Sequence, residues 1–110
     1  MTDAVLSRLA ATIRERRAAA ADTSYTRQLL DAGPKRCAKK LGEEAAETII
    51  AALSEDDDAL TGEAADLVYH LIVLLESRDI AFDDVVAKLE KRMGVSGLAE
   101  KEARKSSSGC

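Results

Sequence analysis

Two pairs of carboxylates share one spacing. Glu44 and Glu47 stand three apart in Glu43-Glu44-Ala45-Ala46-Glu47, and Glu63 and Asp66 stand three apart in Glu63-Ala64-Ala65-Asp66. On a helix, residues three apart are surface neighbours, so each pair presents two acidic groups together. Four carboxylates brought to one place cannot all stay ionised without a positive partner. A hard divalent cation with oxygen ligands is the natural partner, and Mg2+ is the leading choice. Lys35, Arg36, Lys39 and Lys40 precede the first pair. They crowd the first turns of a predicted helix, where cations oppose the helix dipole and an anion such as phosphate would relieve them. A metal beside basic side chains is the usual apparatus for polyphosphate chemistry. The plainer alternative is a solvated charged surface, with Lys39–Glu43 and Lys40–Glu44 paired four residues apart.

The elements that must hold these groups are helices. Proline occurs once, at Pro34, and most of the chain is Ala, Leu, Glu and Lys, all good helix formers. No run of alternating β-branched residues suggests a sheet. Apolar periodicity predicts helices over about residues 3–21, 35–53, 60–76 and 82–93, with a short helix or turn over 24–30. Gly33-Pro34 is a break that opens the second long helix. On that helix Leu41, Ala45, Ile49, Ala52 and Leu53 are expected to face the core. Ser54–Asp58 reads as a polar, capped loop. Asp83 and Asp84 open the last helix, and Lys91 and Arg92 close it, as the dipole favours. Arg14, Arg16 and Arg17 read as a solvated helix end. The fold class is all-α: four to five helices in an antiparallel bundle over residues 1–93, followed by a polar tail over 94–110.

The helix over 60–76 is unusual. Leu67, Val68, Leu71, Ile72, Val73, Leu74 and Leu75 surround it, and a helix apolar nearly all round is a buried one. Yet Glu63, Asp66 and His70 form one polar stripe along it, and buried carboxylates are costly unless paired with a cation. The loop before it is short, so it and the helix over 35–53 are antiparallel neighbours. All four carboxylates then converge. His70 has two readings: a partner supporting a metal-binding carboxylate, or a satisfied core histidine. Tyr69 reads as packing. Four modest helices supply little cover for so apolar a helix, which suggests a homodimer or a higher homo-oligomer.

Composition excludes several classes. The chain has 110 residues, one domain's worth, with 16 Lys+Arg, 20 Asp+Glu and a net charge of −4. That charge argues against general nucleic-acid binding. No apolar run is long enough to span a membrane, and the N-terminus lacks a signal-peptide layout. A cytoplasmic protein is expected. One His with Cys37 and Cys110 excludes an ordinary Cys/His zinc site within one chain. A di-iron bundle needs Glu-x-x-His on two helices, and this chain has none.

The run Lys39-Lys40-Leu41-Gly42-Glu43-Glu44-Ala45-Ala46-Glu47, followed by Glu63-Ala64-Ala65-Asp66-Leu67-Val68-Tyr69-His70, resembles the phosphoribosyl-ATP pyrophosphohydrolase family. This family lies within the all-α nucleotide pyrophosphohydrolases, whose pattern is E-E-x-x-E on one helix and E-x-x-D on the next. Ser24-Tyr25-Thr26 and the stretch from Gly33 to Lys40 point to this family among its relatives, and the likeness covers about residues 5 to 93. The resemblance implies hydrolysis of phosphoribosyl-ATP to phosphoribosyl-AMP and pyrophosphate, the Mg2+-dependent second step of histidine biosynthesis. It implies a helical bundle completed by dimerisation. It makes Glu44, Glu47, Glu63 and Asp66 the Mg2+ ligands. Glu43 or Glu47 becomes the carboxylate that orients or deprotonates water, and Lys35, Arg36, Lys39 and Lys40 hold phosphates. Many relatives are fused to the cyclohydrolase of the next step, for which this chain is too short. The alternatives are a house-cleaning hydrolase of other nucleoside triphosphates, with the same fold and site, and a non-catalytic helical interaction module.

Overall fold

Among the described residues five α-helices follow one another: α1 Thr2–Glu15, α2 Tyr25–Ala32, α3 Pro34–Ser54, α4 Asp57–Ser77 and α5 Phe82–Met93. The computed structural model describes residues 2–20 and 24–94. Among these residues there is no strand, so the protein is all-α as its composition requires. Gly94 is the one residue of the expected tail that falls within the described residues; the others lie outside them.

Helix boundaries follow local chemistry. The first helix ends sooner than its periodicity predicts: α1 stops at Glu15 and tightens into a 3-10 turn, Arg16–Ala18. There Arg17 turns toward the end of α4, its Nη2 donating to the Glu76 carbonyl at 2.6 Å. Ser24 caps α2 by accepting from the Arg27 backbone N–H at 3.1 Å. Gly33 ends α2 with a φ of 91°, a left-handed conformation that only glycine adopts freely, and Pro34 opens α3 directly after it. α4 begins earlier than the apolar pattern does. Asp56 accepts from the Ala59 N–H at 2.9 Å, while Asp57 and Asp58 lie in the first turn against the positive end of the dipole. The acidic segment 54–58 is therefore a two-residue corner plus a helix start, not a loop.

α3 and α4 form the main helix pair, and they are antiparallel. Glu44 faces His70 while Thr48 faces Glu63, so one index falls as the other rises. The hydrophobic core lies to the other side of α4, where Ile13, Leu29, Cys37, Ile72 and Val73 are buried together. Leu6, Leu9, Ala10, Leu30, Val68, Tyr69, Leu74 and Phe82 pack around them. Each fully buried aliphatic side chain contributes about 1.5–3 kcal/mol of transfer free energy. The core is thus drawn from α1, α2, the start of α3 and the C-terminal half of α4.

The expected core face of α3 is corrected. Ala51 is fully buried, but Ile49 is 61% and Leu53 83% exposed, and Ala52 is exposed as well. The reason is the partner: α3 meets α4 along Glu44 and Thr48, with Ala51 buried one turn on, which rotates Ile49, Ile50 and Leu53 away from α4. Leu89 and Met93 of α5 are also exposed. Among the described residues, no helix is long and apolar enough to cross a membrane.

Candidate metal centre

The acidic site grows out of this antiparallel pairing. Thr48, one turn beyond Glu44, returns its hydroxyl to the Glu44 carbonyl at 2.8 Å and shares it with the Glu63 carbonyl at 3.2 Å. One hydroxyl therefore ties the backbone of the first acidic pair to that of the second. Sequence reasoning missed Thr48; the signal was a short polar residue on the very face that carries Glu44, where a larger side chain would hold the helices apart.

Across that junction the carboxylates converge. One oxygen from each of Glu44, Glu63 and Asp66 lies within 4.8 Å of the others. Glu47, more exposed than Glu44, stands close enough to influence both Glu44 and Glu63. Burial, and then Glu47, pushes the Glu44 carboxyl above the usual carboxylate range, with Asp66 and Glu63 adding to it. Glu63 is raised for the same reasons, burial first and Glu47 next. Both groups resist ionisation because they are desolvated and crowded by other carboxylates.

His70 is buried beside this cluster, its Nε2 3.8 Å from Glu44 Oε1. Burial holds its pKa below the ordinary value of 6.5, and the Lys40 ammonium acts in the same direction. Its ring lies edge-on to Tyr69, with centroids 4.9 Å apart. Tyr69 itself is packed inward, its hydroxyl hydrogen-bonded to that of Thr26, in keeping with a packing role.

The chemistry of the donor set fits a hard divalent cation. The donors are all carboxylate oxygens, the kind that Mg2+ and Ca2+ take. Glu44 Oε2, Glu63 Oε2 and His70 Nδ1 are buried without a hydrogen-bond partner. Such orphaned groups are expensive, and a bound ion would satisfy the two carboxylate oxygens.

The basic residues divide. Lys40 leans over the cluster's edge, its Nζ 3.6 Å from Glu43 Oε1, a pairing three residues apart. Glu43 is thus held by Lys40 and stands outside the trio of Glu44, Glu63 and Asp66. Lys35, Arg36 and Lys39 are exposed along the first turns of α3, and none of them joins the cluster. Cys37 faces the opposite way, into the core, its thiol donating to the Leu29 carbonyl at 3.2 Å. Burial pushes that thiol's pKa up, the reverse of what a nucleophile needs.

A second ion cluster lies at the other end of α4. Glu76 is buried, and Arg14 Nε and Arg17 Nε reach its Oε1 at 3.2 and 2.9 Å. Arg17 also donates to Asp79 Oδ1 at 2.8 Å. Arg14 and Arg17 therefore clamp α4, which corrects their reading as a solvated helix end, while Arg16 is exposed as expected. The clue in the sequence was Glu76, an acid at the close of a run of aliphatic residues.

An all-helical fold that gathers Glu44, Glu63 and Asp66 between two antiparallel helices, with Lys40 at the rim, defines a class: a helical protein with a candidate site for a divalent cation. Comparison with known proteins narrows it. The chain matches the phosphoribosyl-ATP pyrophosphohydrolase family over residues 6–93. Relatives named phosphoribosyl-ATP pyrophosphatase are closely similar. The protein of Dinoroseobacter shibae is 53% identical over 91% of this chain and 98% of its own length. Those of Roseobacter denitrificans and Agrobacterium fabrum are each 54% identical over 90% of this chain, covering 94% and 92% of themselves. The chain belongs to the phosphoribosyl-ATP pyrophosphohydrolase family.

Proposed function

We propose that this protein hydrolyses phosphoribosyl-ATP to phosphoribosyl-AMP and pyrophosphate, the second step of histidine biosynthesis, as a Mg2+-dependent cytoplasmic enzyme. The observation that carries this reading is the meeting of Glu44, Glu63 and Asp66 within 4.8 Å, in a chain that matches the family along most of its length. Residues 1–93 form the catalytic domain in this reading, and residues 94–110 a polar tail.

Glu44, Glu47, Glu63 and Asp66 would hold Mg2+. When bound, the ion supplies neutralisation of the charge that develops on the phosphates and makes a water more acidic. Glu47 is exposed, unlike Glu44 and Glu63, so it can also accept a proton from an attacking water, with Glu43 as the nearby carboxylate that orients it. Lys40, already at the rim, and Lys35, Arg36 and Lys39 farther along α3 bind the phosphates and the departing pyrophosphate. His70 is a positioning residue: its buried ring backs Glu44 and limits where that carboxylate can turn.

The same reading makes the chain a homodimer. Ile49, Ile50 and Leu53 of α3 and Leu89 and Met93 of α5 are exposed apolar residues that a second copy would cover. A monomer by light scattering at working concentration would remove this part of the proposal.

The deciding experiment is pyrophosphate release from phosphoribosyl-ATP, with ATP and dUTP alongside, in Mg2+, in EDTA, and with Glu47→Ala. Mg2+-dependent release from phosphoribosyl-ATP alone, lost in the variant, is the expected result. Release from ATP or dUTP instead keeps the site and replaces the substrate. No release from any of them by a folded protein overturns the reading in favour of a non-catalytic module.

A further inference from the structure

Tyr25 has no place in the account so far. It is half exposed, whereas Tyr69 and Phe82 are more deeply set. Its position is well determined, because the Ser24 cap fixes the start of α2 and Tyr25 is the first residue of that helix. The ring meets His70 edge-on, with centroids 6.0 Å apart and planes at 84°. His70 in turn lies 3.8 Å from Glu44. Tyr25 also lies close enough to Lys40 for the two groups to interact electrostatically.

His70 therefore sits between two tyrosines of opposite character. Tyr69 is packed inward and its hydroxyl is bonded to Thr26. Tyr25 touches the same imidazole from the open side, and its remaining surface faces water at the edge of the acidic centre. Core packing accounts for the first ring and leaves the second unexplained. A flat, amphipathic ring held rigidly at a site rim is suited to stacking on another ring. Tyr25 and Glu44 thus flank one imidazole, which sets the open ring near the carboxylates, as the base of a nucleotide lies near its phosphates.

We propose that Tyr25 is a substrate-contacting residue, its open ring stacking on the nucleobase of a nucleotide whose phosphates lie at the Glu44–Glu63–Asp66 centre and Lys40. This rests on the reading of the site as one for a nucleotide polyphosphate, and it assigns the end of the substrate that the carboxylates and lysines do not reach. Stacking tolerates loss of the hydroxyl and does not tolerate loss of the ring.

The test is steady-state pyrophosphate release from phosphoribosyl-ATP by the wild type and by Tyr25→Phe, Tyr25→Leu and Tyr25→Ala. Leucine keeps bulk against His70 and guards against a simple packing defect. KM is expected to rise about tenfold in the Leu and Ala variants, within the range found for loss of one base–aromatic stack. In both, kcat stays within about threefold of wild type, and Tyr25→Phe behaves as wild type. Inhibition by inorganic tripolyphosphate, which offers phosphates without a ring, is expected to change less than about twofold. An unchanged KM in both Leu and Ala variants overturns the proposal. So does a Tyr25→Phe variant as impaired as Tyr25→Ala, since the hydroxyl would then be the contact. A change in mass by light scattering in Tyr25→Leu overturns it too, making the ring part of an interface between copies. Absence of release by the wild type is a separate outcome: it sinks the functional reading, and this proposal with it.

Discussion

α4 carries two acidic clusters that solve the same electrostatic problem in opposite ways. At its C-terminal end Glu76 is buried, and two guanidiniums from the end of α1 and its 3-10 turn close on it. Toward its N-terminal half Glu63 and Asp66 meet Glu44 from α3, with Glu47 near enough to act on them, and the only nearby ammonium described, Lys40, sits on Glu43 at the margin. The first cluster is complete within the chain. The second is left short of positive charge, with two buried carboxylate oxygens unpartnered. Charge that the fold neutralises itself serves the fold. Charge that the fold gathers and leaves without an ion pair is costly, and burial together with the neighbouring carboxylates raises the carboxyl pKa values of Glu44 and Glu63.

The sharpest way to break the comparison is to exchange the consequences. Glu63→Gln removes a charge from the open cluster. Pyrophosphate release is expected to fall on the order of 10^3-fold, comparable to losing a principal electrostatic contact in an active site. The melting temperature of the metal-free protein is expected to rise, because a repulsive neighbour of Glu47 and Asp66 is gone. A variant that is both inactive and less stable would mean that Glu63 supports the fold and not a cation.

Glu76→Ala attacks the closed cluster. Removing one partner of a buried ion pair costs about 3–5 kcal/mol, and water around the half-exposed guanidiniums reduces this to about 2–3 kcal/mol. For a domain of this size that is a fall in melting temperature of roughly 10–20 °C. Activity per folded molecule stays near wild type. Denaturation followed alongside turnover checks both halves.

Mg2+ and pH probe the open cluster without mutation. The folded pKa values of Glu44 and Glu63 lie above their ordinary value of 4.5, so the folded metal-free chain holds protons that the unfolded chain releases. Their contribution to stability is full below pH 4.5 and is lost as pH rises through the raised values. His70 has the opposite sign. Its folded pKa lies below 6.5, so its contribution is present above pH 6.5 and is lost as pH falls below that. Mg2+ at a hundredfold excess over its Kd is expected to add about 2.7 kcal/mol, and more at neutral than at acid pH. Thermal melts with Mg2+ and with EDTA between pH 5 and 8 measure this; a pH-independent Mg2+ shift would exclude the carboxylates as its site.

The smallest effect sharpens the closed cluster's boundary. Asp79 is exposed, and its bond to Arg17 is a surface pair. Asp79→Asn is expected to change stability by less than about 0.5 kcal/mol, because asparagine tolerates the positive φ of 57° at this position. A larger loss by chemical denaturation would make Asp79 a true third member of the Glu76 cluster.

The open cluster was legible before the fold was known because its message is local. Three-residue spacing on a helix sets Glu44 beside Glu47 and Glu63 beside Asp66, and a short connection brings the two helices back to back. The closed cluster was not legible, because Arg14 and Glu76 are far apart in sequence and nothing in a run of arginines names its partner. The face of α3 was misread for a related reason. Periodicity finds an apolar stripe at Leu41, Ala45, Ile49 and Leu53, but it cannot say whether this chain holds anything to cover it.

The sequence alone determined the helices, the pairing of the carboxylates and the resemblance to its family, since each depends on residues within a few turns of one another. The tertiary structure alone decided which charges are answered. It brought Arg14 and Arg17 to Glu76, set the Thr48 hydroxyl between the two acidic pairs, and left Tyr25 open beside His70. These depend on how helices distant in sequence rotate and dock, and that rotation is fixed by the packing of the whole core around Ile72 and Val73.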